Sequence, residues 1–354
     1  MPKGIYARPV GRIEPSVRGS TMPALTLAGQ AAAPGFAAIE LIWRDEGETR
    51  RRLVRPDEVP ALDPVEQALL RRMCEGRADV AGLALDRPRI MGVVNVTPDS
   101  FSDGGRYLAA DAAIAHALQL EAEGADILDI GGESTRPGSE AADAEEECRR
   151  VLPVIAALAR RSRARLSVDT RKAEVMRRAA LEGAHIINDV SALTHDPLAL
   201  ETAAGLGLPV ILMHAQGEPK TMQLQPHYED VVLDVYDELG DRVAACERAG
   251  IPRDRLIVDP GIGFGKTLAH NLQLLGALGI LHGLGCAVIL GASRKSFIGH
   301  LTGAETADRL PGSIAAALLG VAQGVQILRV HDVAATHQAL AVWQGALHET
   351  PTPC

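Results

Sequence analysis

The rhythm of hydrophobic and polar positions along this chain changes near Arg87. From there, short apolar runs alternate with longer stretches rich in Ala, Leu, Glu and Arg. The runs are RIMGVVNV, DILDIGG, RLSVDT, HIINDV, PVILMH, LIVDP, AVILGAS and VQILRV, eight in all. Each is largely apolar at both odd and even positions. That suits a parallel strand covered by helices rather than a strand wetted on one face. Each run is followed by room for a helix. Eight strand–helix units in roughly 260 residues predict an α/β fold, a (β/α)8 TIM barrel over residues 87–350. An open doubly wound sheet shares this periodicity, because alternation alone does not report closure. Before Arg87 the chain is richer in Pro and Arg. Two strand-like pieces, FAAIELIW and RRLV, and one helical piece, PVEQALLRRMC, predict a small α+β extension over residues 1–86, with no recognisable chemical motif.

The run ends carry the polar residues. Asn95 closes the first, Gly-Gly-Glu-Ser-Thr-Arg-Pro follows the second, and Asp169 closes the third. Asn188 and Asp189 end the fourth, His214 the fifth and Asp259 the sixth. Ser293, Arg294 and Lys295 follow the seventh; Arg329 and His331 close the eighth. In a parallel barrel all eight ends share one rim, where active sites of this architecture lie. Strands must reach water somewhere, so one polar end means little. Polar groups at every end predict a shared ligand site.

The residue types suggest what that site binds. Ionised Asp169 and Asp259 only accept hydrogen bonds. With Asn188 they suit a flat ring rich in N–H donors, such as a pterin or guanine. The bland alternative is helix capping, stronger for Asp169 before TRKAEVMRRA than for Asp259, which Pro260 and Gly261 follow. GIGFGK, residues 261–266, lacks phosphate-loop spacing, so its glycines are expected to admit a ligand close to the backbone. Lys295 and Ser296 stand at a predicted helix start and, with Arg329 and His331, form a cationic group suited to an anion. Arg136 in ESTRPG offers a planar fork for phosphate or carboxylate. The chain has only four Phe, and three of them (Phe101, Phe264, Phe297) fall in these polar loops. That placement predicts ring-stacking walls around an aromatic substrate, with a hydrophobic staple beneath a loop as the alternative.

Composition narrows the class further. The 354 residues carry a formal net charge of -9, which argues against nucleic-acid or membrane-surface partners but not against a local basic pocket. Aromatics are 3%, so the core must be aliphatic. Five scattered Cys without CxxC predict a reduced, cytoplasmic protein and no zinc site. The opening stretch lacks the apolar run of a signal peptide, and no run approaches the length of a membrane span.

Taken together, IMGVVNVTPDSFSDGG, ILDIGGESTRPG, SVDTRK, HIINDVSAL, VILMHAQGEPKTMQ, IVDPGIGFGKTLAHNLQLL, GASRKSFIG and RVHDV resemble the dihydropteroate synthase family of folate biosynthesis, over residues 88 to 345. The resemblance implies condensation of p-aminobenzoate with 6-hydroxymethyl-7,8-dihydropterin diphosphate, with Mg2+ as cofactor and pyrophosphate as leaving group. It implies that Asp169, Asn188, Asp259 and Lys295 hold the pterin above Met213, and that Asn95 ligates Mg2+. Thr135, Arg136, Arg329 and His331 would bind the diphosphate. Phe101, Arg136, Pro137, Phe264 and Ser296 would form the p-aminobenzoate pocket. Asp103 would face the reacting carbon, so the implied catalytic residues are Asp103, Arg136 and Lys295. It also implies a homodimer, and a loop, NVTPDSFSDGG, that closes over bound substrate. Departures occur at Ala215, Leu268 and Ala269, away from the implied chemistry. Two other readings are a methyltetrahydrofolate-binding methyltransferase barrel, which has no use for a diphosphate clamp, and a non-catalytic paralogue, which should show eroded loops.

Overall fold

The computed structural model describes residues 4–13, 25–29, 35–45, 48–96, 106–133, 142–217, 222 and 225–347. Eight parallel strands close into a barrel: β5 (Arg89–Asn95), β6 (Ile127–Gly131), β7 (Arg165–Asp169), β8 (Ile186–Asp189), β9 (Val210–Met213), β10 (Leu256–Asp259), β11 (Ala287–Leu290) and β12 (Ile327–Val330). The last strand pairs with the first, Leu328 opposite Ile90, so closure is complete and the open-sheet alternative falls. Helices α2 (Arg106–Ala122), α3 (Ala144–Arg161), α4 (Ala173–Leu181), α5 (Ala199–Leu206), α6 (Val231–Arg248) and α7 (Leu268–Leu275) follow the first six strands. Two helices, α8 (Ser296–Thr302) and α9 (Leu310–Val321), follow β11, and α10 (Val333–Leu347) follows β12.

Side-chain parity explains both faces of the wall. Successive strand residues point to opposite sides. Val94, Leu128, Ile130, Leu166, Val168, Ile187, Leu212, Val258, Val288 and Leu328 face outward and join the helices in the main core. Met91, Ile127, Ile186, Ile211, Ile257, Ile289 and Ile327 face inward and form a separate cluster with Val80 and Leu85. The latter two come from the segment just before β5, where Val80 and Leu83 pair across a tight turn at Ala81 and Gly82. That turn plugs the barrel opposite the rim.

Ahead of the plug lies a four-stranded antiparallel sheet. It comprises β1 (Ile5–Ile13), β2 (Leu25–Thr26), β3 (Gly35–Asp45) and β4 (Glu48–Val54), with β3 central. One face packs on α1 (Pro64–Cys74) through Ala7, Ile39, Leu41, Leu69, Leu70 and Met73. Asp63 caps α1 by accepting from the Val65 and Glu66 amides, which explains where that helix begins. The opposite face turns Tyr6 and Ile42 into the barrel's own core.

Candidate active site

The same parity builds the site. Two residues past each inward isoleucine or methionine, the next inward position is reached. Met91 leads to Val93 and then Asn95; Ile127 to Asp129; Ile186 to Asn188; Ile211 to Met213; Ile257 to Asp259; Ile327 to Arg329. On β7 the inward pair is Ser167 and Asp169, in register with Asp129 and Gly131. A floor of aliphatic side chains therefore carries a polar layer directly above it, facing the rim. Asn188, Asp259 and Met213 are buried, Asp169, Arg329 and His331 are half-buried, and Asn95 and Ser296 are exposed.

Arg329 organises one half of this layer. Its Nε donates to Asp129 Oδ2 at 2.7 Å and its Nη2 to Asp169 Oδ2 at 2.8 Å. The same Asp129 oxygen accepts from Asn188 Nδ2 at 3.1 Å, which leaves Asn188 Oδ1 as an acceptor for a ligand. On the other side, Asp259 Oδ1 accepts from the Gly261 amide at 2.7 Å. A Cβ at Gly291 would stand 3.7 Å from Asp259 Oδ2, so the glycine keeps that oxygen unshielded beside Arg329. The outcome is three acceptors from three strands, backed by one guanidinium. Burial and the Asp129 charge push the Asp169 carboxyl upward, with Arg329 opposing. Burial also raises Asp259, against the Gly261 hydrogen bond. Burial alone would lower the Arg329 value, but Asp129 and Asp169 more than offset it, and the guanidinium stays charged.

Basic side chains stand beside this layer. Lys295 Nζ lies 4.0 Å from the centre of the Phe264 ring, a cation–π contact that joins the residues after β11 to the β10–α7 loop. Burial, then repulsion from Arg329, lowers the Lys295 pKa to about 8. His331 Nδ1 and the Ser293 hydroxyl are 3.1 Å apart, and burial lowers the imidazole to about 4, so it is neutral at pH 7. Arg294 is held by Asp332 through its Nε at 2.9 Å and its Nη2 at 2.5 Å.

The barrel residues 91–331 match the family of pterin binding enzymes. The chain is 48% identical over 270 residues to the dihydropteroate synthase of Escherichia coli (strain K12), covering 76% of this chain and 95% of that one. It is 52% identical over 269 residues to that of Neisseria meningitidis serogroup B, covering 74% and 94%. The solved Xanthomonas albilineans dihydropteroate synthase with 4-aminobenzoic acid is 55% identical, with a TM-score of 0.73, covering 77% of this chain and 99% of that one. The chain belongs to the dihydropteroate synthase family of pterin-binding enzymes.

Within this pterin-binding fold, several residues escaped the reading of strand ends. Asp129 is the foremost: fully buried, it orients both Arg329 and Asn188. Its signal was visible as a carboxylate inside the otherwise apolar run ILDIG. Lys266 is another. Its Nζ reaches His214 Nδ1 at 2.9 Å and Phe264 O at 2.9 Å, and burial lowers its pKa to about 7. Lys172 pairs with Glu133, which Arg171 Nη2 also meets at 2.6 Å, and with buried Glu147 at 2.6 Å. That network ends on Glu133, next to the segment 134–141.

Two expectations change. Phe297 is buried in the main core beneath α8, so it is a core residue and not a wall of the site. The glycines of GIGFGK serve the neighbouring loop first. With φ of +65° and +60°, Gly261 and Gly265 bring their backbone so close that a Cβ would lie 1.9 Å from His214 O and 2.3 Å from Gln216 O. Phe101, Asp103, Thr135, Arg136 and Pro137 lie outside the described residues.

Proposed function

We propose that this chain is a dihydropteroate synthase, condensing 6-hydroxymethyl-7,8-dihydropterin diphosphate with p-aminobenzoate to give 7,8-dihydropteroate and pyrophosphate. The observation that carries the reading is the acceptor layer of Asp169, Asn188 and Asp259, set over an apolar floor and flanked by Lys295 and Arg329. A pterin presents several N–H donors along one edge and matches that layer, with Met213 under the ring. The chemistry breaks the bond between the methylene carbon and the diphosphate oxygen, the electron pair leaving with the diphosphate. The aromatic amine forms the new C–N bond and then loses one proton.

Each residue has a proposed part. Lys295 approaches the pterin while its ammonium lies over Phe264, which walls the p-aminobenzoate side with Phe101, Pro137 and Ser296. Arg329 reaches the diphosphate with the guanidinium N–H groups that Asp129 and Asp169 leave over, and His331, Thr135 and Arg136 complete that clamp. Asp103 offsets positive charge growing on the methylene as the diphosphate departs. Among the described residues no cluster of three or more His, Cys, Asp or Glu could hold a metal ion. A lone Asn95 carboxamide at the rim does suit Mg2+, which keeps most of its waters and binds chiefly through substrate phosphates. When bound there, Mg2+ would neutralise charge on the leaving diphosphate. A cytoplasmic homodimer completes the proposal; sedimentation of the purified protein tests the dimer.

The deciding assay combines purified protein, pterin diphosphate, p-aminobenzoate and Mg2+. Stoichiometric pyrophosphate and dihydropteroate are expected, and no turnover at any Mg2+ concentration overturns the reading. Asp169→Ala and Asp259→Ala should each weaken binding of free pterin in calorimetry; unchanged affinity in both removes the ring from this layer.

A further inference from the structure

The extension touches the barrel at a point that leads to the site. Arg44, near the end of β3, donates through Nη1 to Asp234 Oδ1 at 2.5 Å and through Nη2 to Glu229 Oε2 at 2.5 Å. The other Asp234 oxygen accepts from the Glu229 amide at 2.9 Å and the Asp230 amide at 3.3 Å. Asp230 in turn caps α6. One guanidinium thus fixes the carboxylate that gathers the whole lead-in to this helix. Tyr6 strengthens the grip: its hydroxyl donates to Asp237 Oδ2 at 2.7 Å, and its ring meets Tyr236 edge-on, centres 5.2 Å apart.

The residue before Glu229 is Tyr228. Its hydroxyl donates to Gly265 O at 2.8 Å, and its ring packs edge-on against His270 at 5.0 Å. Gly265 lies between Phe264, under the Lys295 ammonium, and Lys266, which holds the Phe264 carbonyl. On the same lead-in, His227 exchanges two hydrogen bonds with the side chain of Gln216, whose carbonyl Gly265 crowds. Arg44, Asp234, the 227–230 segment and Gly265 therefore form a continuous line from the extension to the aromatic wall.

We propose that Arg44 is a positioning residue and that the extension, through the 227–230 segment, sets the place of Phe264 on the p-aminobenzoate side; this rests on the synthase reading above. The solved Xanthomonas albilineans enzyme is covered over 99% of its length by 77% of this chain, so the added N-terminal sheet is a feature of this chain with respect to it. Ordering a wall residue in advance lowers the entropic cost of binding an aromatic ligand.

The test uses the full chain with Arg44→Ala, Arg44→Lys and, as control, Arg52→Ala on exposed β4. Hydrogen exchange is read first and needs no activity. Amides of residues 262–267 should exchange at least about tenfold faster in Arg44→Ala, with those of β6 unchanged. In steady-state kinetics, KM for p-aminobenzoate should rise about five- to tenfold, with kcat and KM for pterin diphosphate within about twofold. Arg44→Lys should recover part of the loss, and Arg52→Ala should match wild type. Unchanged exchange at 262–267 overturns the inference whatever the enzyme catalyses. Faster exchange throughout the barrel, or equal damage to both substrates, also overturns it, because Arg44 would then serve stability alone. Absence of turnover in wild type would sink the synthase reading and leave the exchange result to decide the positioning role.

Discussion

At the scale of single residues, the site depends on who shares each charge. Asp129 serves Arg329 and Asn188 with one oxygen, while its other oxygen is buried without a partner among the described residues. Asp129→Asn keeps the shape and removes the charge, so Asn188 loses a strong acceptor and Arg329 one of two carboxylates. A disturbed buried polar group costs about 1–3 kcal/mol. Denaturant unfolding should register that loss, and kcat/KM for pterin diphosphate should fall by about tenfold or more; unchanged kinetics would make Asp129 purely structural. Lys295 predicts a pH dependence of two opposite signs. Its ammonium in the free protein gives up its proton at about 8, so kcat/KM should decline as pH rises past that value. The unfolded chain holds the same proton up to the ordinary lysine value of about 10.4. Between those limits the unfolded state binds more protons, so this group makes the ligand-free protein more stable as pH rises. Lys295→Arg should remove both trends, read in a pH–rate profile and in melting temperature against pH.

At the scale of elements, loop geometry controls what the strands present. The β10–α7 loop turns on Gly261, whose φ of +65° and close approach to His214 O leave no room for a side chain. Gly261→Ala must displace that carbonyl, one of the two that accept from Lys266 Nζ, the other being Phe264 O. A strained φ and a steric clash together should cost at least about 2 kcal/mol. Thermal unfolding measures the loss, and p-aminobenzoate affinity should fall with it. An alanine tolerated without cost would show that the β9 and β10 loops move apart freely.

At the scale of the whole molecule, floor and rim divide the work. Val80 and Leu85 close the barrel beneath the inward isoleucines, on the side away from every proposed substrate contact. Leu85→Ala should cost about 2–4 kcal/mol in unfolding free energy through the cavity it leaves. Both kinetic constants should stay within about twofold of wild type. A large change in kcat would mean that the floor is coupled to the polar layer above it. The plug also places Val80 and Leu85 in the barrel's interior, although both precede Arg87, where the strand–helix alternation begins.

Local pattern was enough for the strand–helix alternation and for most of the rim. An inward residue such as Asp259 is marked by ending an apolar run, and Asn95, Asp169, Asn188 and His331 are marked the same way. Parity and burial act along the chain, so they leave a trace in it. Closure of β12 on β5, the partnership of Arg329 with Asp129 and Asp169, and the pairing of Lys266 with His214 join residues from distant strands. So does the line from Arg44 to Gly265. No spacing rule encodes those contacts, because they depend on the stagger of the strands around the barrel and on the seat of the extension against α6. Phe297 shows the same limit in reverse: its loop motif suggested a wall, but the turn into α8 rotates its ring into the core. Residue type and periodicity selected the chemistry available at the rim, and only the tertiary structure decided which charges neutralise one another and which remain for a ligand.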